Sequence, residues 1–170
     1  MVAKVSRGVK AKFTVAKTVK LEVPLQVIEV AAERTLDVRR AVLRNGRPDA
    51  TVIFPTDGTG FHLAALDDGD DGTVIGVASF FPSPTPLRPG TVAWQLRGMA
   101  VVADRQGEGV GQALLDVAVA RLRALDVEVV WADGRDTALS FYEKAGWTVE
   151  GDGYVTGIGL PHHTVVLELI

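Results

Sequence analysis

The sequence contains no cysteine. Disulfide bonds, zinc sites with thiolate ligands and catalysis by a cysteine nucleophile are therefore excluded. It also has no apolar run that approaches the roughly 18–20 residues of a membrane-spanning helix. Because it has no such run, we expect no membrane partner. We expect a protein that works in the cytoplasm, because a chain without disulfides suits a reducing compartment.

The first 20 residues contain no acidic side chain, although six of them are basic. They lack the continuous apolar stretch of a secretory signal, and one arginine with one serine does not make an organelle transit peptide. We expect residues 1–24 to form a basic, solvated arm or extension; a nucleic-acid-binding or partner-binding arm is the alternative. The basic residues are Lys4, Arg7, Lys10, Lys12, Lys17 and Lys20.

The rest of the chain is acidic. All 21 acidic residues lie after residue 20, together with only 12 of the 18 basic ones. An acidic body repels a phosphate backbone, so we expect no nucleic-acid partner. The length of 170 residues suits one domain with a sizeable core, which we assign to residues 25–170.

Short apolar segments rich in β-branched residues alternate with two or three segments of helical periodicity. A proline-rich loop over 82–89 and a glycine-rich connection over 151–161 separate some of them, and 67–72 is typical of an acidic hairpin turn. This order predicts an α+β, or mixed α/β, single domain. Predicted strands cover 25–29, 61–66, 73–81, 91–102, 127–132, 147–149 and 163–170; predicted helices cover 33–43, with Arg39, Arg40 and Arg44 on its basic face, then 109–125, then a stretch capped by Asp133 or Asp136 that ends at 145.

A glycine-rich turn joins the fourth predicted strand to the second predicted helix. Gly107, Gly109 and Gly111 leave backbone N–H groups unshielded, and the first amides of the following helix are unpaired and carry partial positive charge. These features predict a site for a phosphate or pyrophosphate. Gly98 interrupts the preceding strand, which indicates a β-bulge or a place where a ligand comes close to the backbone.

Two known phosphate-binding motifs do not fit this turn. The dinucleotide fingerprint needs a glycine where the chain has Gln112, and the P-loop needs a Gly-Lys-Ser/Thr triplet that the sequence lacks. A nucleotide-binding oxidoreductase domain is therefore disfavoured. A turn that merely allows a tight strand-to-helix corner stays open as an alternative.

Two blocks of the sequence resemble the GCN5-related N-acetyltransferase (GNAT) superfamily. Gln106-x-x-Gly109-x-Gly111 is similar to the family's Gln/Arg-x-x-Gly-x-Gly/Ala pyrophosphate motif, and residues 135–147 resemble its A-x-x-F-Y-x-x-x-G-F signature, with Trp147 as the last aromatic. The resemblance covers residues 25–170. It implies a GNAT-like domain with a central, mostly antiparallel mixed sheet of about six or seven strands, one splayed pair of strands, and three or four flanking helices.

The resemblance implies acetyl-CoA as cosubstrate and no metal. It places the pantetheine arm in the gap beside the strand before the glycine turn, against the backbone of Met99 and Val101. Glu108 stands where the family often has Lys or Arg, and we expect its carboxylate to point to solvent. The implied residues that bind the cosubstrate are Met99, Ala100, Val101, Gln106, Gly107, Glu108, Gly109, Val110, Gly111, Gln112 and Phe141.

Tyr142 is the implied general acid. A phenol is protonated at neutral pH and can stabilise the departing thiolate by a hydrogen bond or by giving it a proton; a core tyrosine is the alternative. The bulge at Gly98 would turn the backbone N–H of Met99 towards the thioester carbonyl, as a donor to the developing oxyanion. The resemblance implies that the amine attacks the thioester directly, and the absence of cysteine, which rules out a thiol relay, agrees with this.

The general base is not evident from the sequence. Glu29, Glu33, Asp104 and a water chain are all candidates. His162 could line the acceptor site or accept the amine proton, although its glycine-rich surroundings favour a turn or surface position, and the adjacent His163 would point the other way. Arg97 could receive an acidic group of the acceptor, although a salt-bridged structural arginine is the favoured alternative. The residues assigned to the acceptor substrate are Glu29, Arg97 and His162.

These residues and the resemblance imply an N-acetyltransferase that moves an acetyl (acyl) group from acetyl-CoA to a primary amine of a small molecule or peptide. A catalytically silent acyl-CoA-binding or regulatory module on the same fold is the alternative, and the presence of Tyr142 favours the enzyme. The resemblance also allows a homodimer, because dimers are common in the family.

Overall fold

The computed structural model describes residues 25–67, 72–157 and 159–169. The strands in this part of the chain are β1 (Gln26–Val30), β2 (Phe61–Leu66), β3 (Val74–Pro82), β4 (Ala93–Val101), β5 (Val129–Arg135), β6 (Thr148–Val155) and β7 (Pro161–Glu168). They form one mixed sheet of seven strands in the order β1-β2-β3-β4-β5-β7-β6. Only β4 and β5 pair in parallel, and every other neighbouring pair is antiparallel.

Three helical regions flank this sheet in the described part of the chain. The first helical segment begins with a 3-10 turn (Ala32–Thr35), continues as α1 (Leu36–Val38) and ends with a π turn (Arg39–Leu43). The other helices are α2 (Val110–Arg123), directly after the glycine turn, and α3 (Leu139–Lys144), which follows a 3-10 turn (Asp136–Ala138). None of the described helices is long and apolar enough to cross a membrane.

The helices cover both faces of the sheet. Val77 and Ala78 are neighbours on β3 and therefore point to opposite faces. Ala78 packs in the main core with Leu114 of α2, whereas Val77 packs with Val38 of α1. Helical spacing over 109–125 predicts one apolar stripe. Its members at 110, 114, 118 and 122 are buried, but Val117 and Leu125, which lies beyond the end of α2, are each 39% exposed.

β4 and β5 diverge after a short stretch of pairing. Their ladder runs from Ala93 opposite Val129 to Leu96 opposite Ala132. Beyond Leu96, β4 continues along β3 while β5 continues along β7. The predicted splayed pair is thereby confirmed, and a wedge opens between the two strands.

The glycine within β4 lies in a bulge. Val77 of β3 faces Ala100 and Ser79 faces Arg97, so that two residues of β4 oppose one residue of β3. Gly98 has φ of +64°, and a Cβ there would lie 2.7 Å from the Phe54 ring. Both the backbone conformation and the space therefore require glycine, as the sequence predicts.

The glycine-rich segment near the C-terminus is not the flexible connection that its composition predicts. β6 runs through Gly151 and Gly153, with a register shift against β7 between Glu150 and Tyr154. Gly151 has φ of +75°, and a Cβ on Gly153 would lie 2.7 Å from the His163 ring. These glycines allow a bulged strand to pair, so the predicted loop is wrong over this stretch.

Two further predictions meet different outcomes. The carboxylate caps predicted before the third helix are wrong, since Asp133 lies in β5 and neither helical turn there has a side-chain cap. The predicted hairpin joins β2 to β3, where the Asp67 N–H donates to the Thr73 carbonyl at 2.9 Å. Residues 68–71 of that turn, the predicted basic arm over 1–24 and the last residue of the predicted final strand lie outside the described residues.

Arg39 is completely buried and does not belong to an exposed basic face. Its guanidinium donates to both carboxylate oxygens of Asp57 at 3.0 Å, to the Ser79 hydroxyl at 2.6 Å and to the Val52 carbonyl at 3.0 Å. His62 continues the network, with Nε2 at 2.9 Å from the Asp57 carbonyl and Nδ1 at 2.8 Å from the Ser79 hydroxyl. A carbonyl only accepts, so Nε2 carries the proton and Ser79 donates to Nδ1.

This network lies directly beneath the bulge. The Arg39 guanidinium stacks on Phe54 at 4.3 Å from the ring centroid, and its Nε lies 3.0 Å from where a Gly98 Cβ would be. The charge of Arg39 is neutralised by Asp57, so it can be buried at a tolerable free-energy cost. The network therefore fixes the backbone at the point where β4 leaves β5.

Candidate active site

A cleft of about 870 Å³ opens in the wedge between β4 and β5. Its walls come from β4 over 96–101, the turn and start of α2 over 105–112, the end of β5, and α3 with the turn before it. Phe54 and the end of the first helical segment close the side opposite α2. Of the residues assigned from the sequence to cosubstrate binding, only Glu108 does not line this cleft.

The glycine turn presents open backbone amides at one end of the cleft. Gly107 and Gly109 have φ of +81° and +85°, and a Cβ on either would meet nothing within 4 Å. Gly109 is the N-cap of α2 and provides no side-chain cap, so the first amides of the helix remain available to a ligand. Positive helix-end charge and unshielded N–H groups together make an anion site.

Ion pairs between charged side chains hold the glycine turn in place. Arg105 donates to Glu108 at 2.6 Å and to Asp67 at 2.7 Å, and its hydrogen bonds to these two carboxylates hold the pKa of Arg105 above its ordinary value. Glu108 is exposed and does not line the cleft, in agreement with the predicted solvent-facing carboxylate, and it is also paired with Arg105. Gln106 donates to the Val101 carbonyl at 2.9 Å, which ties the turn to the end of β4.

The described residues that line the cleft carry five cations and one carboxylate. Such a surplus of positive charge suits a ligand with several phosphates. The cations are Arg44, Arg97, Arg105, Arg135 and Lys144, and the single acid is Asp133.

The start of α2 packs closely against α3. A Cβ on Gly111 would lie 3.1 Å from the Phe141 ring and 3.3 Å from the Met99 side chain, so a larger residue would have to displace both. Phe141 in turn contacts Tyr142 edge-on, with ring centroids 5.3 Å apart. The residues of the two sequence blocks, 106–111 and 135–147, are thus brought to one place.

Tyr142 is only 8% exposed and lines the cleft from the α2 face of the sheet. Its ring contacts Trp147 edge-on at 5.3 Å between centroids. Burial raises the pKa of Tyr142 to about 12. The phenol is therefore neutral throughout the physiological range, as a hydrogen-bond donor to a developing anion must be.

We predict that neither tyrosine of the chain ionises below pH 10 in the folded protein. The chain has two tyrosines; burial raises the pKa of each to about 12, and the hydrogen bond to Asp133 adds to the shift of Tyr154. A raised pKa means that ionisation opposes folding as the pH rises above 10. Tyrosinate absorbance should appear only near pH 12 or with unfolding, whereas the protein in denaturant should titrate near pH 10; a folded-state midpoint at 10 would contradict this.

His162 lies in β7 and not in a turn, and it is only 7% exposed. It lines the cleft opposite Arg135 of β5 and stacks on Tyr154. Its Nδ1 lies 2.8 Å from the Leu160 carbonyl, which can only accept, so Nδ1 carries the proton and Nε2 of the neutral ring is a free base. His163 points away and pairs with Asp136 at 2.7 Å.

The other predicted acceptor residues separate. Arg97 lines the cleft beside the bulge, but Glu29 lies on β1, where it pairs with Arg121 of α2 at 3.4 Å. Glu33 and Asp104, the other two candidate bases, are exposed and do not line the cleft either. No group of three or more His, Asp or Glu side chains among the described residues could hold a metal ion.

Asp133 is the site residue that the sequence reasoning misses. It lies one residue beyond the last β4–β5 pair and accepts hydrogen bonds from Gln95 Nε2 at 3.2 Å and from the Tyr154 hydroxyl. Its position at the end of a buried strand could have identified it, because a carboxylate there cannot pack into the core. The sequence instead favours a helix cap at Asp133, which gives it no role in the site.

Comparisons with known proteins agree with this geometry. The family model described as the acetyltransferase (GNAT) family matches residues 31–147. The uncharacterized N-acetyltransferase YitI of Bacillus subtilis is 30% identical over 149 residues, which are 86% of this chain and 97% of that protein.

Solved structures show the same fold. An aminoglycoside 6'-N-acetyltransferase complexed with coenzyme A superposes with a TM-score of 0.67 at 13% identity, over 85% of this chain and 97% of its own. An acyl-CoA N-acyltransferase from Pseudomonas aeruginosa gives 0.64 at 17% identity, over 84% and 98%. The wedge between β4 and β5, the glycine turn and the family match agree with one another: the chain belongs to the acetyltransferase (GNAT) family and is an enzyme of the N-acyltransferase class.

Proposed function

We propose that this enzyme transfers an acetyl group from acetyl-CoA to a primary amine. The observation that carries the proposal is the wedge between β4 and β5, closed at one end by the open amides of residues 107–112. The pyrophosphate would bind at this turn and at the start of α2, and the pantetheine arm would lie along Met99, Ala100 and Val101. Residues 25–170 form the catalytic domain, with residues 1–24 as an extension.

The residues proposed to act on the leaving thiol and on the attacking amine lie on opposite faces of the sheet. Tyr142 lies on the face that α2 covers, where a Gly134 Cβ would lie 3.4 Å from its ring. His162 lies opposite Arg135, whose guanidinium reaches the Leu43 carbonyl of the first helical segment at 3.4 Å, on the other face. The thiol would thus leave on one side of the wedge, and the amine would arrive on the other.

The chemistry needs no covalent enzyme intermediate. The neutral amine nitrogen attacks the thioester carbonyl carbon, a C–N bond forms, and the C–S bond breaks with its electron pair on sulfur. In this proposal the Met99 N–H, beside the bulge at Gly98, donates to the developing oxyanion, and Tyr142 donates a hydrogen bond to the departing sulfur. His162 Nε2 accepts the proton that the acceptor ammonium loses before attack; the second amine proton leaves to water or to the thiolate.

Gly109→Ala should weaken acetyl-CoA binding about 10-fold or more. The methyl group meets no protein atom within 4 Å, so it would project into the space where the phosphates bind. Loss of a hydrogen bond to a charged group costs a comparable factor. Titration calorimetry with acetyl-CoA measures the change directly.

Gly90→Ala is the matched control for this substitution. Gly90 has φ of +84°, also has nothing within 4 Å of a Cβ, and lies outside the cleft. Both variants should lose similar stability from the left-handed backbone, but only Gly109→Ala should lose affinity. Equal affinities for the two variants would contradict the placement of the phosphates.

A panel of amines, amino acids, polyamines and peptides, scored by release of free coenzyme A, tests the function itself. We expect thiol release that depends on both the acceptor and acetyl-CoA. Tight binding of acetyl-CoA without turnover on any acceptor would instead support the alternative of a silent acyl-CoA-binding module.

A further inference from the structure

Two opposite charges stand at the mouth of the wedge, one on each diverging strand. Leu96 and Ala132 form the last pair of the β4–β5 ladder. The next residue on β4 is Arg97, and the next on β5 is Asp133. Both line the cleft, and both are exposed.

The two side chains project from the same face of the sheet. In a paired ladder, residues opposite one another share a face, and the face alternates along each strand. Leu96 and Ala132 pack into the core beneath α2, so their successors point away from α2. The hydrogen bond from Gln95 to Asp133 and the contact of Arg97 with Phe54 both agree with this placement.

Asp133 has no cationic partner at this point in the described part of the chain. Its two oxygens accept from Gln95 Nε2 and from the Tyr154 hydroxyl, which are both neutral donors. No described cation lies within 4 Å of it. Neutral donors orient a carboxylate without cancelling its charge, so Asp133 remains available to a cation.

Arg97 keeps a full positive charge on the other strand. Its guanidinium stacks on the Phe54 ring, 4.6 Å from the centroid, which holds the side chain over the cleft. No described carboxylate lies within 4 Å of it. Phe54 is itself fixed, because its N–H donates to Asp57 at 2.9 Å. An oriented and unpaired guanidinium is suited to a bidentate carboxylate.

We propose that the acceptor is an amino-acid-type molecule, in which the amine that reacts is accompanied by a carboxylate. This rests on the proposed acetyl transfer. Asp133 receives the ammonium group on one side of the wedge, and Arg97 receives the carboxylate on the other. Asp133 is the single acid among the described residues that line the cleft, so an ammonium group has one place to bind among five cations.

His162 completes the arrangement. It lies on β7 opposite Arg135, two residues beyond Asp133 on β5, and on the same face as Asp133. An ammonium held by Asp133 is thereby presented on the side of the free His162 Nε2. Arg135 and Arg44 also line the cleft on this side, but each already donates to the Leu43 carbonyl. Arg97 has no such partner among the described residues and is therefore the carboxylate site.

The test compares free amino acids with their decarboxylated amines, which keep the same side chain, as acceptors. With the unmodified enzyme we expect kcat/KM to fall about 10- to 100-fold when the carboxylate is removed. With Arg97→Gln this difference should shrink to about twofold. Asp133→Asn should lower kcat/KM for both acceptors, through KM. Equal use of each acceptor pair by the unmodified enzyme, or an undiminished preference in Arg97→Gln, would overturn the inference.

Calorimetric binding of the same amino acids, in the presence of coenzyme A, separates this inference from the proposed function. Absence of thiol release with every acceptor would contradict the acetyl transfer, whatever binds. Amino-acid binding that is lost in Arg97→Gln and in Asp133→Asn would still support the site, and no binding to the unmodified protein would overturn it. Arg47→Gln and Asp49→Asn, an exposed pair outside the cleft, are the matched charge controls and should change nothing.

Discussion

Tyr142→Phe should lower kcat about 100-fold while leaving the Kd for acetyl-CoA within twofold. Tyr142 is 8% exposed and lines the cleft on the α2 face, and burial raises its pKa to about 12. A phenol with this pKa is a weaker acid than a thiol of about 8.5, so Tyr142 acts on the departing sulfur mainly as a hydrogen-bond donor. Removal of one donor to a developing anion costs about 10²–10³ in kcat.

Tyr154→Phe provides the comparison for this variant. Tyr154 donates to Asp133 on the acceptor side, so its loss should raise KM for the acceptor more than it lowers kcat. The measurement is a steady-state analysis of thiol release, with melting temperatures to confirm that both variants fold. An unchanged kcat in Tyr142→Phe would remove this residue from the reaction.

Asp57→Ala should destabilise the protein by about 3–5 kcal/mol, because it leaves the Arg39 charge buried and unpaired. Arg39 is completely buried, and Asp57 accepts from both of its terminal nitrogens at 3.0 Å. Burial acts to raise the pKa of Asp57, but the Arg39 hydrogen bond and charge and the Phe54 amide outweigh it, and the pKa lies below its ordinary value. The ion pair therefore contributes stability above about pH 4, and this contribution is lost as the pH falls through the lowered pKa.

Denaturant unfolding at pH 7 measures this effect. Asp49→Ala is the control, since Asp49 pairs with Arg47 on the surface, where both side chains are largely exposed. It should leave the free energy of unfolding unchanged within error. If Asp57→Ala were no less stable than Asp49→Ala, the network beneath the bulge would not hold the fold together as described.

The glycines before and at the start of α2 could be assigned from the sequence because their roles are local. Gly98 sits in a bulge with positive φ, and Gly107 and Gly109 adopt positive φ in the turn. Glycine is strongly favoured at positive φ, so its presence at these positions predicts the backbone conformation that the structure shows. The order of strands and helices around them follows from apolar periodicity in the same way.

The acceptor side could not be assigned because it depends on pairings between distant segments. Asp133, Tyr154 and His162 come together only when β5, β6 and β7 pair. The glycines of β6 suggested a loop, since composition alone does not distinguish a bulged strand from a flexible connection. The same glycines therefore predict a surface position for His162, and the sequence predicts a helix cap at Asp133.

Arg39 shows the same limit for the core. Three arginines on a helical segment are ordinarily a solvated face. Arg39 is buried because its guanidinium pairs with Asp57 and Ser79. These partners lie 18 and 40 positions further along the chain. The sequence near Arg39 gives no indication of these partners. In α2, by contrast, the helical spacing of the apolar side chains predicts which of them are buried.

The central claim is that the wedge between β4 and β5 holds acetyl-CoA, with its pyrophosphate on the amides of the glycine turn. A crystal structure of the protein with coenzyme A tests it most directly. We predict phosphate oxygens within hydrogen-bonding distance of the backbone nitrogens of residues 107–112, and the pantetheine arm between the two strands. Coenzyme A bound elsewhere, with the wedge filled by the protein's own side chains, would contradict it.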